Sequence, residues 1–187
     1  MEQMNDLKEL LKHDVQMLRD VEKQIIAGMP AMITRANNPA LKNVLEQHLK
    51  VTERQLERID RVREMIGADE DSVKDHTGLL SRLMGNSTTC QGIAGIIKDG
   101  SKVMAEDMNP QVMDAAIVAG SQKIEHFEIA CYGTVRTYAQ QLGLTEVASL
   151  LQETLDEEYM ADQMLTGLAV SGINQHAEAG VHAEAMS

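Results

Sequence analysis

Apolar residues return every three or four positions over four long stretches of this chain, and nowhere do they alternate with polar ones over the length of a strand. A period near 3.6 gathers such residues on one side of a helix, so each stretch reads as an amphipathic helix that has to bury its stripe against others. Four stripes that need one another predict an all-α chain folded as an up-down four-helix bundle. The core material agrees. Phe, Tyr and Trp supply 2% of the residues against 43% apolar overall, which leaves Leu, Ile, Val, Ala and thirteen Met to fill the interior. These residues suit helices, and Met fills irregular gaps. At 187 residues the chain fits one domain with a sizeable core.

The charge balance narrows the function classes. A formal net charge of −12 repels a phosphate backbone, and residues 1–9 hold no basic arm, so nucleic-acid binding is not expected. The sequence shows no cleavable leader and no long uncharged apolar run, which makes a cytoplasmic protein away from membranes the expectation. Cys90 and Cys131 lack metal-type CxxC spacing and read as small buried hydrophobes in reduced form.

Cap and stop signals set the helix boundaries. The first helix is expected to start after Asn5 as cap, carrying Leu7, Leu11, Leu18, Val21, Ile25 and Met29, to kink at Pro30 and to stop at Asn37. Asn38-Pro39 pairs a cap with a first-turn proline and launches a second helix to Gly67, about 42 Å long at 1.5 Å per residue. Asp69 to Thr77 reads as a loop, Leu79 to Met84 as a short helix, and Thr89 to Ala105 as another, so the middle of the chain is a crossover with helical content. Asn109-Pro110 repeats the start signal for a third long helix that Gly143 stops, and Thr145 is expected to cap a fourth that ends near Gly172. Two helical hairpins joined by a long crossover result, with the bundle spanning residues 1–172. From about Ile173 periodicity fails, and residues 173–187, with His176 and His182, read as a frayed, flexible tail.

Polar residues that fall inside the apolar stripes are the informative ones. At 100° per residue, Glu22 lies between Leu18 and Ile25 on helix one, and His48, Thr52 and Gln55 interrupt the stripe of helix two. On helix three, Glu128 shares the face of Ile124 and Val135, Glu125 lies one turn earlier at its edge, and His126 points nearly the opposite way. On helix four, Glu157 and Glu158 straddle the stripe, and spacing does not choose between them. Counting outward from each hairpin turn brings Glu22 level with Thr52, and Glu128 nearly level with Glu157 and Glu158. One polar layer across all four helices is the outcome. Taken singly, each residue has an ordinary structural reading: Glu22 in a surface ion pair, His48 as an interhelical hydrogen-bonder, Glu157 and Glu158 on a solvated acidic face. Taken together, buried carboxylates cost several kcal/mol each and repel one another, so they must be protonated, hydrated or neutralised by cations. Two divalent metal ions meet that need, and carboxylate oxygens with an imidazole suit iron or manganese, with zinc as a competitor.

Four segments in order, Glu22-Lys23-Gln24, Glu46-Gln47-His48-Leu49, Phe127-Glu128-Ile129-Ala130-Cys131-Tyr132 and Leu155-Asp156-Glu157-Glu158 with Ala161-Asp162, resemble the YciE/YciF group of bacterial ferritin-like proteins over about residues 5 to 168. The resemblance implies a ferritin-like fold, a homodimer, a role in stress responses and no settled activity. The wider pattern places a Glu on each of two helices and Glu-x-x-His on each of the other two. Carried onto this chain, Glu22 and either Glu125 or Glu128 supply the single glutamates. Thr52 and Gln55 stand where helix two should carry Glu-x-x-His, and Glu157 is followed three residues later by Met160, so both expected histidines are missing and His48 is the nearby substitute.

Two functions compete. The first is a carboxylate-bridged metal protein reacting with peroxide or oxygen, with Glu22, Glu128 and Glu157 as principal ligands and Glu125, His48 and Glu158 as supplementary ones. Tyr132, one turn beyond Glu128, either bonds a ligand carboxylate or packs with its hydroxyl at the core's rim. The second is a metal-free helical dimer whose polar layer is a remnant and whose role is structural or interactive.

Overall fold

The structure, a computed structural model, describes residues 4–68 and 89–184, with side chains described as far as Ala179. Among the described residues every regular element is helical. Helix α1 spans Leu7–Arg35, α2 Pro39–Ile66, α3 Gln91–Ala105, α4 Pro110–Gln141, α5 Thr145–Leu168 and α6 Asn174–Glu184. α1 pairs with α2 and α4 with α5 as hairpins, α1 also meets α4, and α2 meets α5, which closes a four-helix bundle. α3 lies across α1 and α4. The loop and short helix expected between Asp69 and Met84 fall outside the described residues. Among those residues no helix is long and apolar enough to cross a membrane.

Local chemistry explains the boundaries. Asn38 Oδ1 accepts from Ala40 N at 2.9 Å and Leu41 N at 3.2 Å, and Asn109 Oδ1 accepts from Val112 N at 2.9 Å, so both Asn-Pro starts work through the orphan amides of the first turn. Gly67 and Gly143 take φ of +69° and +72°, the left-handed conformation that lets a helix stop. Two caps differ from expectation. Asp6 rather than Asn5 caps α1, its Oδ1 accepting from Glu9 N at 2.8 Å while the Glu9 carboxylate accepts from Asn5 N at 2.6 Å. Thr145 is the first residue of α5 and makes no cap, since Leu144 holds that position without a side-chain acceptor. α1 runs through Pro30 as one helix, with the proline on its exposed face.

The expected end near Gly172 is a wide turn instead. Ala169–Ile173 widens to a π-helical turn that breaks at Gly172 (φ 173°, ψ −38°), after which α6 continues to Glu184 where a frayed tail was expected. Ile173 is 3% exposed and packs with Leu165, Met113 and Ile117, and α6 lies against α4, so tertiary contact carries a helix whose own periodicity is weak.

Two apolar plugs fill the bundle ends. One gathers Leu11, Leu18, Ile59, Val62, Val135 and Leu151; the other gathers Leu41, Leu45, Ile117, Val118 and Leu165. Burying each such side chain contributes about 1.5–3 kcal/mol. Against them α3 adds Ile93 over Val21, Ile25 and Ile124. Gly92 is what lets α3 sit this close, because a Cβ there would come 2.8 Å from the Phe127 ring. Cys90 N donates to Asp20 Oδ2 at 2.7 Å and anchors the same helix end to α1.

A buried carboxylate that the stripe reading did not single out fastens the first hairpin turn. Asp114 on α4, 6% exposed, accepts from Asn37 N at 2.6 Å and Asn38 N at 2.9 Å. Asp114→Ala strands two turn amides, and the expected loss is about 2 kcal/mol, read as a lower urea midpoint with an unchanged slope.

Candidate metal centre

Between the two plugs lies a layer of buried polar side chains. Glu22 comes from α1, His48, Thr52 and Gln55 from α2, Ser121, Glu125 and Glu128 from α4, and Thr154 and Glu158 from α5. Glu22, Glu128 and Glu158 have no solvent exposure, and Glu125 has 1%. The flanking stripe residues force this: Leu18 and Ile25 sit one turn to each side of Glu22, and Ile124 and Val135 bracket Glu125 and Glu128, so burying the stripe drags the carboxylates inward.

His48, Glu125, Glu128 and Glu158 converge, each presenting a donor atom within 4.8 Å of the others. His48 Nε2 lies 3.2 Å from Glu125 Oε1 without the alignment of a hydrogen bond. Gln55 Nε2 donates to Glu158 Oε1, and Tyr132 OH donates to Glu22 Oε1 from 1% exposure, so the tyrosine holds a carboxylate rather than placing its hydroxyl at a rim. Glu22 joins the same electrostatic cluster, since its charge bears on Glu128 and those of Glu125, Glu158 and His48 bear on it.

Glu157 is placed apart. It turns to the bundle's edge, where Arg58 grips it through Nη1 at 2.8 Å and Nη2 at 3.2 Å, and Gln55 Nε2 approaches at 3.1 Å. The neighbouring Glu158 takes the interior position. Both Glu125 and Glu128 are inside, although the resemblance asked for one of them. His126 has 66% of its side chain exposed and faces Asp162 at 3.4 Å, away from the layer.

Burial governs the protonation of the layer. Desolvation pushes the Glu22 carboxyl up to about 8 against a relieving bond from Tyr132, and pushes Glu125 up to about 7. Glu128 and Glu158 are raised well above the carboxylate range, first by desolvation and then by neighbouring carboxylates. Glu125 and Glu158 act on one another across the layer, and the pair titrates as a unit. Desolvation also raises the Tyr132 phenol well above its usual range, which keeps it a donor. Partial burial works to raise Glu157, but Arg58 outweighs it and the carboxyl ends below its ordinary value. Cys90 and Cys131 are both free, and burial lifts the Cys131 thiol to about 11, so Cys131 offers no ready thiolate.

The donors fit a divalent cation. Glu22 Oε2, Glu125 Oε2, both Glu128 oxygens, Glu158 Oε2 and His48 Nε2 are buried without hydrogen-bond partners among the described residues. Orphaned carboxylate oxygens around one imidazole, shielded from water, are the donor set that hard and borderline cations take.

Comparison with known proteins agrees with the helical fold. Residues 6–178 match the family described as a domain of unknown function, DUF892. The chain is 34% identical over 175 residues to Protein YciF of Escherichia coli (strain K12), covering 94% of this chain and 97% of that protein. The crystal structure of the E. coli stress protein YciF superposes with a TM-score of 0.77 at 33% identity, over 91% of this chain and 99% of that one. YcfI of Rhodopseudomonas palustris gives 0.72 at 31% identity, over 88% and 96%. With its matched span, its bundle and a relative this similar over nearly its whole length, the chain belongs to the DUF892 family that the YciE/YciF resemblance anticipated.

Proposed function

We propose that the polar layer is a ferritin-like centre for two divalent metal ions, iron or manganese, that reacts with peroxide or oxygen in a stress response like the one the relative's name invokes. The observation that supports this most is the convergence of four buried donor residues from three helices within 4.8 Å, with unpartnered carboxylate oxygens pointing among them. Metal bound there would supply redox chemistry that no side chain of this layer supplies alone. The protein's share is positional. His48, Glu125, Glu128 and Glu158 hold the donors, with Glu22 on the α1 side; Gln55 orients Glu158; Tyr132 orients Glu22. Leu18, Ile25 and Leu165 keep bulk water out, at 1–2% exposure. Glu157 belongs to the supporting ring through Arg58.

Elemental analysis of untagged protein after loading with Fe²⁺, Mn²⁺ or Zn²⁺ is expected to find up to two ions per chain. Glu125→Gln and Glu158→Gln are expected to lower uptake at least ten-fold, and loaded wild type to consume hydrogen peroxide faster than the metal-free protein. The absence of Glu-x-x-His on α2 and α5, where Gln55 and Ala161 take part in the interior instead, supports the rival structural role; a wild type that takes up no ion under any loading condition would establish that rival.

A further inference from the structure

An apolar pocket runs from the α3 side of the bundle to the edge of the carboxylate layer. Ile25, Met29, Leu45, Ile117 and Ile124 form its deep walls, each at most 7% exposed. Its open side lies along α3, where Ser101 is exposed and Gly100 and Met104 are half-buried. Its inner end is polar, formed by His48, Ser121 and Glu125. A cavity volume of about 40 Å³ exceeds the ~10–15 Å³ that one water needs and is well short of the ~150 Å³ that accepts benzene, so the space suits a body of a few carbon atoms.

Two observations say that this space is built for an occupant. Ser121 is 2% exposed, and its Oγ has no hydrogen-bond partner among the described residues. Helical hydroxyls elsewhere in the chain return theirs to the carbonyl four residues back, as Thr34, Ser101, Thr134 and Thr137 do at 2.8–2.9 Å. Ser121 forgoes that bond in a dry setting where an unmatched hydroxyl is costly. Independently, Gly100 and Gly120 line the pocket from opposite helices, and a Cβ added at either would meet no heavy atom within 4 Å. These glycines do not serve helix contact, unlike Gly28, whose Cβ would touch Ile97 at 3.4 Å; they leave room.

We propose that this pocket binds a small neutral molecule with an apolar body of a few carbons and a single hydroxyl-type head group, the head bonded to Ser121 Oγ beside His48 and Glu125. The apolar walls select against a charged body, and the Glu125 carboxyl at the inner end selects against an anionic head. A head group at this position abuts the donor cluster without requiring a metal in it, so the assignment stands apart from the metal reading and is tested on the metal-free protein.

Methyl-labelled Ile and Met NMR spectra of the full chain in EDTA, titrated with butan-1-ol, read the site directly. Saturable shifts are expected at Ile25, Ile117, Ile124 and Met29, with Ile59 and Ile66 at the far plug unmoved. Ser121→Ala is expected to weaken the apparent Kd about five-fold, the size of one neutral hydrogen bond. Gly120→Leu, and Gly100→Val from the opposite wall, are expected to abolish saturation by filling the space. Shifts that do not saturate, equal shifts at Ile59, unchanged affinity in both filled variants, or tighter binding of butan-1-amine or butanoate than of the alcohol would overturn the assignment.

Discussion

Replacing Glu128 by Gln is expected to make the metal-free protein more stable and to remove its capacity for divalent metal. Glu128 is fully buried and its carboxyl is raised well above the ordinary carboxylate range, first by desolvation and then by neighbouring carboxylates, so folding favours its protonated form while the unfolded chain ionises it. Near neutral pH the unfolded chain has given up this proton and folding has to oppose that ionisation, a cost that Gln does not carry. Gln matches the protonated side chain in volume, so the plugs on either side need not repack. Urea unfolding at pH 7 in EDTA should show the gain, and elemental analysis of the same variant should show at least a ten-fold loss of bound metal. A variant that is both less stable without metal and equally loaded with it would contradict the centre as described.

The second large effect is a stability of the metal-free protein that falls as pH rises. Glu22 and Glu125 have folded values of about 8 and about 7 against an ordinary 4.5, so across that interval the folded state holds protons that the unfolded state has released. Stability rises with pH only where the unfolded state binds more protons, and here it binds fewer. The contribution of these groups is complete below about pH 4.5 and lost as pH climbs through 7 and 8. Melting in EDTA is expected to drop by about 10 °C between pH 5 and 8, given roughly 2–4 °C per kcal/mol for a chain of this length. Saturating Mn²⁺ or Zn²⁺ should flatten the decline, because cations replace the protons, and binding should release protons in a calorimeter. Asp60 and Glu157, held low by arginine partners against partial burial, act with the opposite sign and only below about pH 4.5. A melting temperature that rises through neutrality in EDTA would exclude ionisable carboxylates in the core.

Much of this was legible in the sequence because helical geometry is short-range. Asn38-Pro39, Asn109-Pro110, Gly67 and Gly143 carry their instructions within four residues, and the structure uses each as a start or a stop. Glu22, His48, Gln55 and Glu128 were recognisable as inward-facing because apolar neighbours one turn away fix the helix rotation. Glu157 and Glu158 were not separable by that means. The choice is made by Arg58, whose grip on Glu157 comes from a residue about a hundred positions away and turns Glu158 to the interior. Glu125 looked like an edge residue, yet it is buried among His48 of α2 and Glu158 of α5, neighbours that its own helix does not reveal. Asp114 escaped notice for the same reason, since its partners are backbone amides of a distant turn that periodicity does not mark. Helix α6 was invisible for a different cause: its residues have little stripe of their own, and its order comes from lying on α4.

The division of the donors between the hairpins bears on how the protein assembles. The first hairpin brings Glu22 and His48, the second brings Glu125, Glu128 and Glu158, and neither half alone encloses a cation. Helix formation and hairpin closure involve only nearby segments and can run early, whereas the acidic faces meet at the moment the halves join. An ion held in the proposed centre would therefore be captured only as the halves join, so its uptake would report on that event.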